Sequence, residues 1–107
     1  MISRIWFGWT TPQNADAYET LLKTQIFPGI VARNIPGFRR IELLRRPDAD
    51  EVEFVTVMWF DSMDAVKAFA GEKFEAAVVP PAARALLAGY EQVAVHYEVR
   101  ETREAAA

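Results

Sequence analysis

The sequence contains a single histidine, His96, which lies in a predicted strand. An imidazole titrates close to neutral pH, so it can take a proton from a phenol or from an activated C–H group. The alternative is a strand histidine that only makes a hydrogen bond at a subunit interface, and this is the commoner use of a lone histidine. His96 is therefore the candidate general base, with a structural role as the alternative.

Five further residues are candidates for binding a substrate. Arg40 and Glu42 lie two residues apart on one face of a strand, where Arg40 can hold a phenolate or carboxylate and Glu42 can orient it or act as a base. A simple ion pair between them is the more ordinary use. Trp6 can flank a flat aromatic ligand or pack in the core, while Thr56 and Met58 alternate along a strand and shape the predicted pocket.

Strand alternation predicts which side chains share the face that lines a cavity. If Val55, Val57 and Trp59 lie under the helices, the opposite set faces the cavity. A slip of one residue inverts every assignment, so the reverse arrangement stays open. The predicted cavity-facing residues are Arg4, Trp6, Arg40, Glu42, Phe54, Thr56, Met58, Gln92, Ala94, His96 and Glu98.

Composition excludes several classes of function. The chain has no cysteine, and its carboxylates are scattered, so no metal site is predicted. No glycine-rich phosphate loop follows a strand, and we therefore expect no cofactor. A net charge of −3 without a basic cluster argues against nucleic acid. No apolar run reaches the roughly 20 residues of a membrane span, and the N-terminus lacks a signal-peptide layout, which predicts a cytoplasmic protein without a membrane partner.

Hydrophobic periodicity and turn residues divide the chain into strands and helices. Thr11 and Ser62 are N-cap candidates for two helices, Gly71 is expected to end the second of them, and Pro28 predicts a kink or a break in the first. The predicted elements are a strand at Ile2–Trp9, a helix from Pro12 to about Ala32, strands at Phe38–Arg46 and Glu51–Phe60 around a hairpin loop at Pro47–Asp50, a helix at Met63–Ala70, another helical turn within Glu72–Val79, a short helix at Pro81–Leu87 and a strand at Tyr90–Arg100.

This order predicts an α+β fold, the ferredoxin-like βαββαβ plan with a four-stranded antiparallel sheet. Residues 1–101 are predicted to form a single domain, and residues 102–107 a frayed C-terminal tail. Two helices cover only one face of such a sheet, so an apolar second face predicts a homodimer in which two sheets meet. The large residues assigned to that second face are Trp6, Phe38, Phe54, Met58 and Phe60.

Four segments resemble the antibiotic biosynthesis monooxygenase (ABM) family of the dimeric α+β barrel superfamily. They are FPGI at Phe27–Ile30, IPGFRR at Ile35–Arg40, VTVMWFDSMDAVKAFAG at Val55–Gly71 and VAVHYEV at Val93–Val99. The resemblance covers nearly the whole chain apart from its alanine tail. It supports the fold more specifically than it supports any one reaction.

The resemblance implies a cofactor-independent monooxygenase that acts on a small aromatic or quinone-like molecule. The electron-rich anion left after proton removal would react directly with O2. The alternative is a non-catalytic dimeric α+β barrel that serves as a binding or stress-related module of unknown ligand. Haem degradation is a third hypothesis, but the haem-degrading members place their ligating histidine on a helix, whereas His96 lies in a strand.

Overall fold

The computed structural model describes residues 1–106, so Ala107 of the predicted tail lies outside the described residues. A five-residue π-helical turn, Leu22–Ile26, joins the first two helices. Within the described residues, no helix is both long and apolar enough to cross a membrane. The elements are β1 (Ile2–Thr10), α1 (Pro12–Leu21), α2 (Phe27–Ala32), β2 (Phe38–Asp48), β3 (Glu51–Phe60), α3 (Met63–Ala70), α4 (Pro81–Arg84), β4 (Gly89–Tyr90) and β5 (Val95–Glu98).

The strands form one antiparallel sheet in the order β2, β3, β1, with β4 and β5 both paired to the remaining edge of β1. The long strand β1 therefore lies at the centre, where it pairs with β3 over its whole length. This arrangement confirms the predicted α+β, ferredoxin-like fold class.

The predicted last strand, Tyr90–Arg100, is in fact two short strands. Its middle leaves β1 and pairs with the segment that follows α3, where Val93 forms a bridge with Ala76. The Ala94 N–H donates to the carbonyl of Glu75 at 2.8 Å. These hydrogen bonds interrupt the strand, because a backbone group that pairs with one neighbour is not free to pair with another.

The helical turn predicted within Glu72–Val79 is absent for the same reason. The Ala77 N–H donates to the carbonyl of Gln92 at 2.9 Å instead of to a helical partner. This segment has turns but no helix, and it runs beside the open end of the sheet.

A π-helical turn replaces the predicted kink at Pro28. The helix begins as predicted, because the Thr11 hydroxyl accepts from the Asn14 N–H at 3.3 Å. Before Pro28, the Phe27 N–H donates to the carbonyl of Leu22, five residues back. Proline has no N–H to continue the regular pattern, and the widened turn accommodates it without ending the helix.

The junction between β3 and α3 is locked by capping and close backbone packing. The Ser62 hydroxyl accepts from the Ala65 N–H at 3.2 Å, and Gly71 ends the helix with a φ of 89°. Gly37 has a φ of 83°, and a Cβ there would lie 2.8 Å from the Cβ of Ala65. Only glycine fits this turn, and the carbonyl of Gly37 accepts from the Asp61 N–H at 2.8 Å.

The helices cover the face of β3 that carries Phe54, Met58 and Phe60, not the face that carries Trp59. Phe54 packs with Tyr18 of α1, and Met58 and Phe60 belong to the cluster built on α3. The assignment of Val55, Val57 and Trp59 to the helices is therefore wrong, and the inverted alternative is the correct one. Both apolar sets suit a strand, so alternation alone did not separate them.

A bulge at the start of β2 changes the face of every residue after it. Phe38 pairs with Phe60, but Arg40 pairs with Trp59, so one extra residue lies between them. Phe38 consequently lies on the helix side with Phe60, while Arg40 and Glu42 lie on the opposite side. The prediction that Phe38, Arg40 and Glu42 share a face is wrong because a bulge breaks the two-residue period.

The face away from the helices, here called the open face, is apolar as predicted but is made of different residues. All five large residues assigned to it, Trp6, Phe38, Phe54, Met58 and Phe60, lie on the helix side. The open face carries half-buried Ile5, Phe7, Val55, Val57 and Trp59. Leu44 and Tyr97 extend it with exposed fractions of 50% and 57%.

Candidate functional site

A cavity of about 60 Å³ lies between the sheet and the first helices. Strands β1 and β3 form its floor, and α1, the π-helical turn and α2 form one wall. Residues Val78–Pro80, which lack regular secondary structure, complete it. Val78 is 46% exposed, so the cavity reaches the surface on this side.

The π-helical turn shapes the apolar wall. Leu22 and Ile26 of that turn line the cavity, together with Phe27 and Ile30 of α2. A π-helical turn fits one more residue into the same length of helix, which brings extra side chains to one side. Such turns are frequent at functional sites, and here the turn supplies two aliphatic side chains to the cavity wall.

The six predicted site residues separate into three groups. The first group lines the cavity and consists of Trp6, Thr56 and Met58. His96 lies behind the cavity, in contact with Arg4. Arg40 and Glu42 lie on the open face and cannot share a pocket with the others. The structure therefore brings together three of the six.

Trp6 is held in place at the edge of the cavity. Its indole Nε1 donates to the carbonyl of Glu91 at 2.7 Å, and its ring centroid lies 5.8 Å from that of Tyr90. On the same face of the sheet, Thr56 pairs directly with Trp6, and Met58 is 3% exposed. A fixed aromatic ring beside a hydroxyl and a thioether is suited to contact a small aromatic molecule.

Arg4 provides the charge in this cavity. The residue is 4% exposed, and its guanidinium lies 5.5 Å from the centroid of Phe69. One Nη1 N–H donates to the carbonyl of Phe74, and Nη2 donates to the carbonyl of Ala76 at 3.1 Å. Nη1 also lies 2.9 Å from Nε2 of His96. These contacts use three of the five N–H donors, and the other two have no acceptor among residues 1–106.

The charge of Arg4 has no carboxylate partner within 4 Å among residues 1–106. Burial lowers the pKa of Arg4 to about 10, so the side chain still carries its charge at neutral pH. A desolvated cation without a counter-charge attracts an anion. Strand alternation predicted Arg4 on the cavity face, but the anion-binding role was predicted for Arg40.

His96 accepts a hydrogen bond from Arg4, because a guanidinium can only donate. Burial lowers the pKa of His96 below 6.5, and the charge of Arg4 lowers it further, while Glu75 opposes the change. The imidazole also meets the ring of Phe74 edge-on at 5.4 Å. The role of His96 as a general base stays a prediction, and its Nε2 lone pair already has a partner.

Arg40 and Glu42 form a cluster with Trp59 on the open face. The Trp59 Nε1 donates to Oε1 of Glu42 at 2.8 Å, and Arg40 Nε lies 3.5 Å from the same oxygen. The Arg40 guanidinium stacks 4.8 Å from the Trp59 ring centroid. The prediction that Trp59 packs in the core under the helices is wrong, and this arginine has both a carboxylate and an aromatic partner.

No group of three or more metal-binding side chains of the histidine, cysteine or acidic type occurs within residues 1–106. The candidate site is the cavity, where Trp6, Thr56 and Met58 lie beside the buried charge of Arg4. Its chemistry comes from one cation and an aromatic and aliphatic wall.

A family model described as antibiotic biosynthesis monooxygenase matches residues 1–79. These residues include β1, β3 and α3, and with them the floor of the cavity. A search of curated proteins found no match to the chain.

Solved structures match the chain over nearly its full length. SnoaB, a cofactor-independent oxygenase from Streptomyces nogalater, is 26% identical, with a TM-score of 0.57 and coverage of 94% of this chain and 95% of that one. The monooxygenase ActVA-Orf6 of Streptomyces coelicolor, in complex with nanaomycin D, is 18% identical, with a TM-score of 0.62 and coverage of 98% and 91%. The heme-degrader MhuD from Mycobacterium tuberculosis, with two hemes in its active site, is 23% identical, with a TM-score of 0.58 and coverage of 97% and 100%.

Proposed function

The chain belongs to the antibiotic biosynthesis monooxygenase (ABM) family, and from this premise we propose that it is a cofactor-independent monooxygenase of a small aromatic or quinone-like molecule. The description of SnoaB as a cofactor-independent oxygenase supports this reaction type. The substrate would bind in the cavity between sheet and helices.

The observation that carries the proposal is the buried, unpaired charge of Arg4 in an apolar cavity. A neutral apolar ligand would gain no hydrogen bond from this guanidinium, whereas a phenolate or enolate would gain a charge-assisted one. Trp6 provides a flat surface in the same cavity. The combination suits an aromatic molecule that carries a negative charge.

The proposed chemistry needs an anion that the protein stabilises. Loss of a proton to water from an activated C–H group or a phenol gives an electron-rich anion, which passes electrons to O2. A hydroperoxide forms at the carbon and then loses water, so one oxygen atom enters the product and the other leaves in water. Arg4 would stabilise the anion before it meets O2, because its charge is already desolvated and fixed in position.

The volume of the cavity favours a second candidate function. A space of about 60 Å³ is well below the roughly 300–1,000 Å³ of typical ligand sites. A ligand larger than a few atoms would have to displace part of the wall, and Val78–Pro80 is the part without regular secondary structure. A non-catalytic dimeric binding module is consistent with this small space.

Oxygen consumption with a panel of anthrones and hydroquinones tests the proposed reaction. Thr56→Phe would fill the cavity beside Trp6 and is expected to abolish the uptake seen with the wild type. Thr20→Phe, the same change at an exposed position of α1, is the control and should leave uptake intact. Circular dichroism checks that both variants fold.

The two candidate functions give different results in this experiment. Uptake that survives in Thr56→Phe would remove the cavity from the reaction. If the wild type takes up no oxygen with any compound but still binds aromatic anions, the binding module is the better description.

The proposal includes a homodimer built on the open face. Val55, Val57 and Trp59 are only half-buried within one chain, and Leu44 and Tyr97 are exposed. Apolar surface on this scale is costly in water, and a second copy of the same sheet would cover it. Arg40 and Glu42 would then lie within the interface instead of in a substrate pocket.

A further inference from the structure

His96 lies next to the cavity but makes its closest polar contact with Arg4. The two residues are direct partners on neighbouring strands, since Arg4 of β1 pairs with His96 of β5. Nε2 of His96 lies 2.9 Å from Nη1 of Arg4. The imidazole is half-buried and is not part of the cavity wall.

The hydrogen bond determines which nitrogen of His96 carries the proton. All N–H groups of a guanidinium donate, so Nε2 must present its lone pair and Nδ1 must carry the hydrogen. Protonation of Nε2 would place two cations in contact and remove the acceptor. The charged groups near the ring are Arg4 on β1 and Glu75 on the segment after α3.

The other two acceptors of Arg4 are backbone carbonyls, those of Phe74 and Ala76. Both belong to the segment after α3, which pairs with residues 92–94 and not with β1. His96, in contrast, is held by the β1–β5 pairing. It is the side-chain acceptor that ties the guanidinium to the sheet.

We propose that His96 is a positioning residue: in its neutral, Nδ1-protonated form it holds the Arg4 guanidinium against the cavity, where that cation binds an aromatic anion. The role in ligand binding rests on the function proposed above, whereas the tautomer does not. This role differs from that of a general base, because a base must offer its lone pair to the substrate.

The sole histidine makes the tautomer directly measurable. Nitrogen-15 NMR of histidine-labelled protein at neutral pH is expected to give the Nδ1–H form in the wild type. Arg4→Gln should shift the population toward the Nε2–H form. A wild type that already carries its proton on Nε2 would overturn the proposal.

Two substitutions separate positioning from base catalysis. The amide oxygen of His96→Gln can accept from Arg4 but cannot act as a base, while His96→Ala offers no acceptor. For salicylate binding by calorimetry, we expect His96→Gln to stay within about threefold of the wild type and His96→Ala to lose about tenfold. Oxygen uptake should follow the same order.

The pH dependence adds a readout that a merely structural role would not change. The affinity of the wild type for salicylate should fall as the pH drops below neutral, while that of His96→Gln should stay level. The carboxylate of salicylate stays ionised in this range, so the change reports the protein.

Several outcomes would contradict the positioning role. Loss of oxygen uptake in His96→Gln as complete as in His96→Ala would make His96 a base. Unchanged salicylate affinity in His96→Ala, or no salicylate binding by the wild type, would remove its role in anion binding. If the wild type takes up no oxygen, the proposed reaction fails, and the tautomer and salicylate affinities still decide the role of His96.

Discussion

The two faces of the sheet each carry an arginine beside an aromatic ring, yet the two arginines have opposite surroundings. Arg4, on the helix face, is 4% exposed and has only carbonyl and imidazole acceptors. Arg40, on the open face, is exposed, stacks on Trp59 and lies 3.5 Å from a Glu42 oxygen.

The difference shows that residue type and spacing do not assign a function by themselves. Arg40 and Glu42 look like a binding pair in the sequence, but Glu42 and the ring of Trp59 already serve as partners of Arg40. Arg4 has no carboxylate two residues away along its strand. Because its charge is buried without a counter-charge, it is available to an anionic ligand. The candidate site therefore lies at the unpaired Arg4 and not at the Arg40–Glu42 pair.

The largest expected effect is on the free energy of unfolding, and it distinguishes two adjacent residues on opposite faces of the sheet. Phe60→Ala should lower the free energy of unfolding by about 3–5 kcal/mol, because Phe60 is fully buried against Phe38 and Phe69. Trp59→Ala should cost about 1 kcal/mol within one chain, since its ring is half-buried.

Urea denaturation at two protein concentrations measures both changes. The loss for Phe60→Ala should be the same at both concentrations, because its contacts lie within one chain. Equal losses for the two variants at low concentration would mean that the open face is packed within the monomer.

The next prediction concerns the homodimer. Val57→Lys places a charge at the centre of the open face and should raise the dimer dissociation constant by more than about a hundredfold, since a buried unpaired charge costs several kcal/mol. Analytical ultracentrifugation measures the constant. Val31→Lys, the same change at a 56% exposed position of α2, should leave the dissociation constant unchanged. A wild type that sediments as a monomer would refute the dimer.

A third prediction compares the two arginines directly. Arg4→Gln should weaken salicylate binding about ten- to a hundredfold, which corresponds to the loss of a hydrogen bond between charged groups. Arg40→Gln, on the other face, should bind as the wild type does. Calorimetry with salicylate and with its neutral amide separates the contribution of the ligand's charge from that of its ring. If Arg4→Gln loses as much affinity for the amide as for salicylate, the substitution has changed the shape of the cavity instead.

The smallest effect is on stability against pH. The pKa of His96 is lowered in the folded protein, mainly by burial and then by the charge of Arg4, so the unfolded chain binds its proton at a higher pH. The contribution of neutral His96 to the stability of the fold is therefore fully present above its unfolded pKa of 6.5. It is lost as the pH falls through the lower pKa of the folded protein.

His96→Gln lacks this titration and should show a flatter stability curve between about pH 7 and pH 5. Urea denaturation across that range compares the two proteins. A wild-type curve that is no steeper than that of the variant would contradict the lowered pKa.

Local signals predicted most of the fold. The alternation in β1 and β3, the Ser62 cap and the Gly71 stop placed a strand, a turn and a helix where the structure has them. The predicted break at Pro28 also marks a true irregularity. Each of these signals depends on neighbours within a few residues, which the sequence displays directly.

The site was predicted less well, because it depends on which face of each strand meets the helices. Trp6, Thr56 and Met58 were predicted to share one face of the sheet, and they line the same cavity, while their role in binding stays a prediction. Arg40 and Glu42 were added to them because the bulge after Phe38 has no clear signature in the residues around it.

The amino-acid sequence by itself determined the order of strands and helices, the ferredoxin-like plan and the ABM relationship, since caps, turns and periods are local properties. Tertiary structure alone decided the faces, because strand side chains alternate every two residues and one bulge or slip reverses them. It also decided that Arg4 and not Arg40 holds the unpaired charge, because burial and the distance to a carboxylate depend on how distant segments pack.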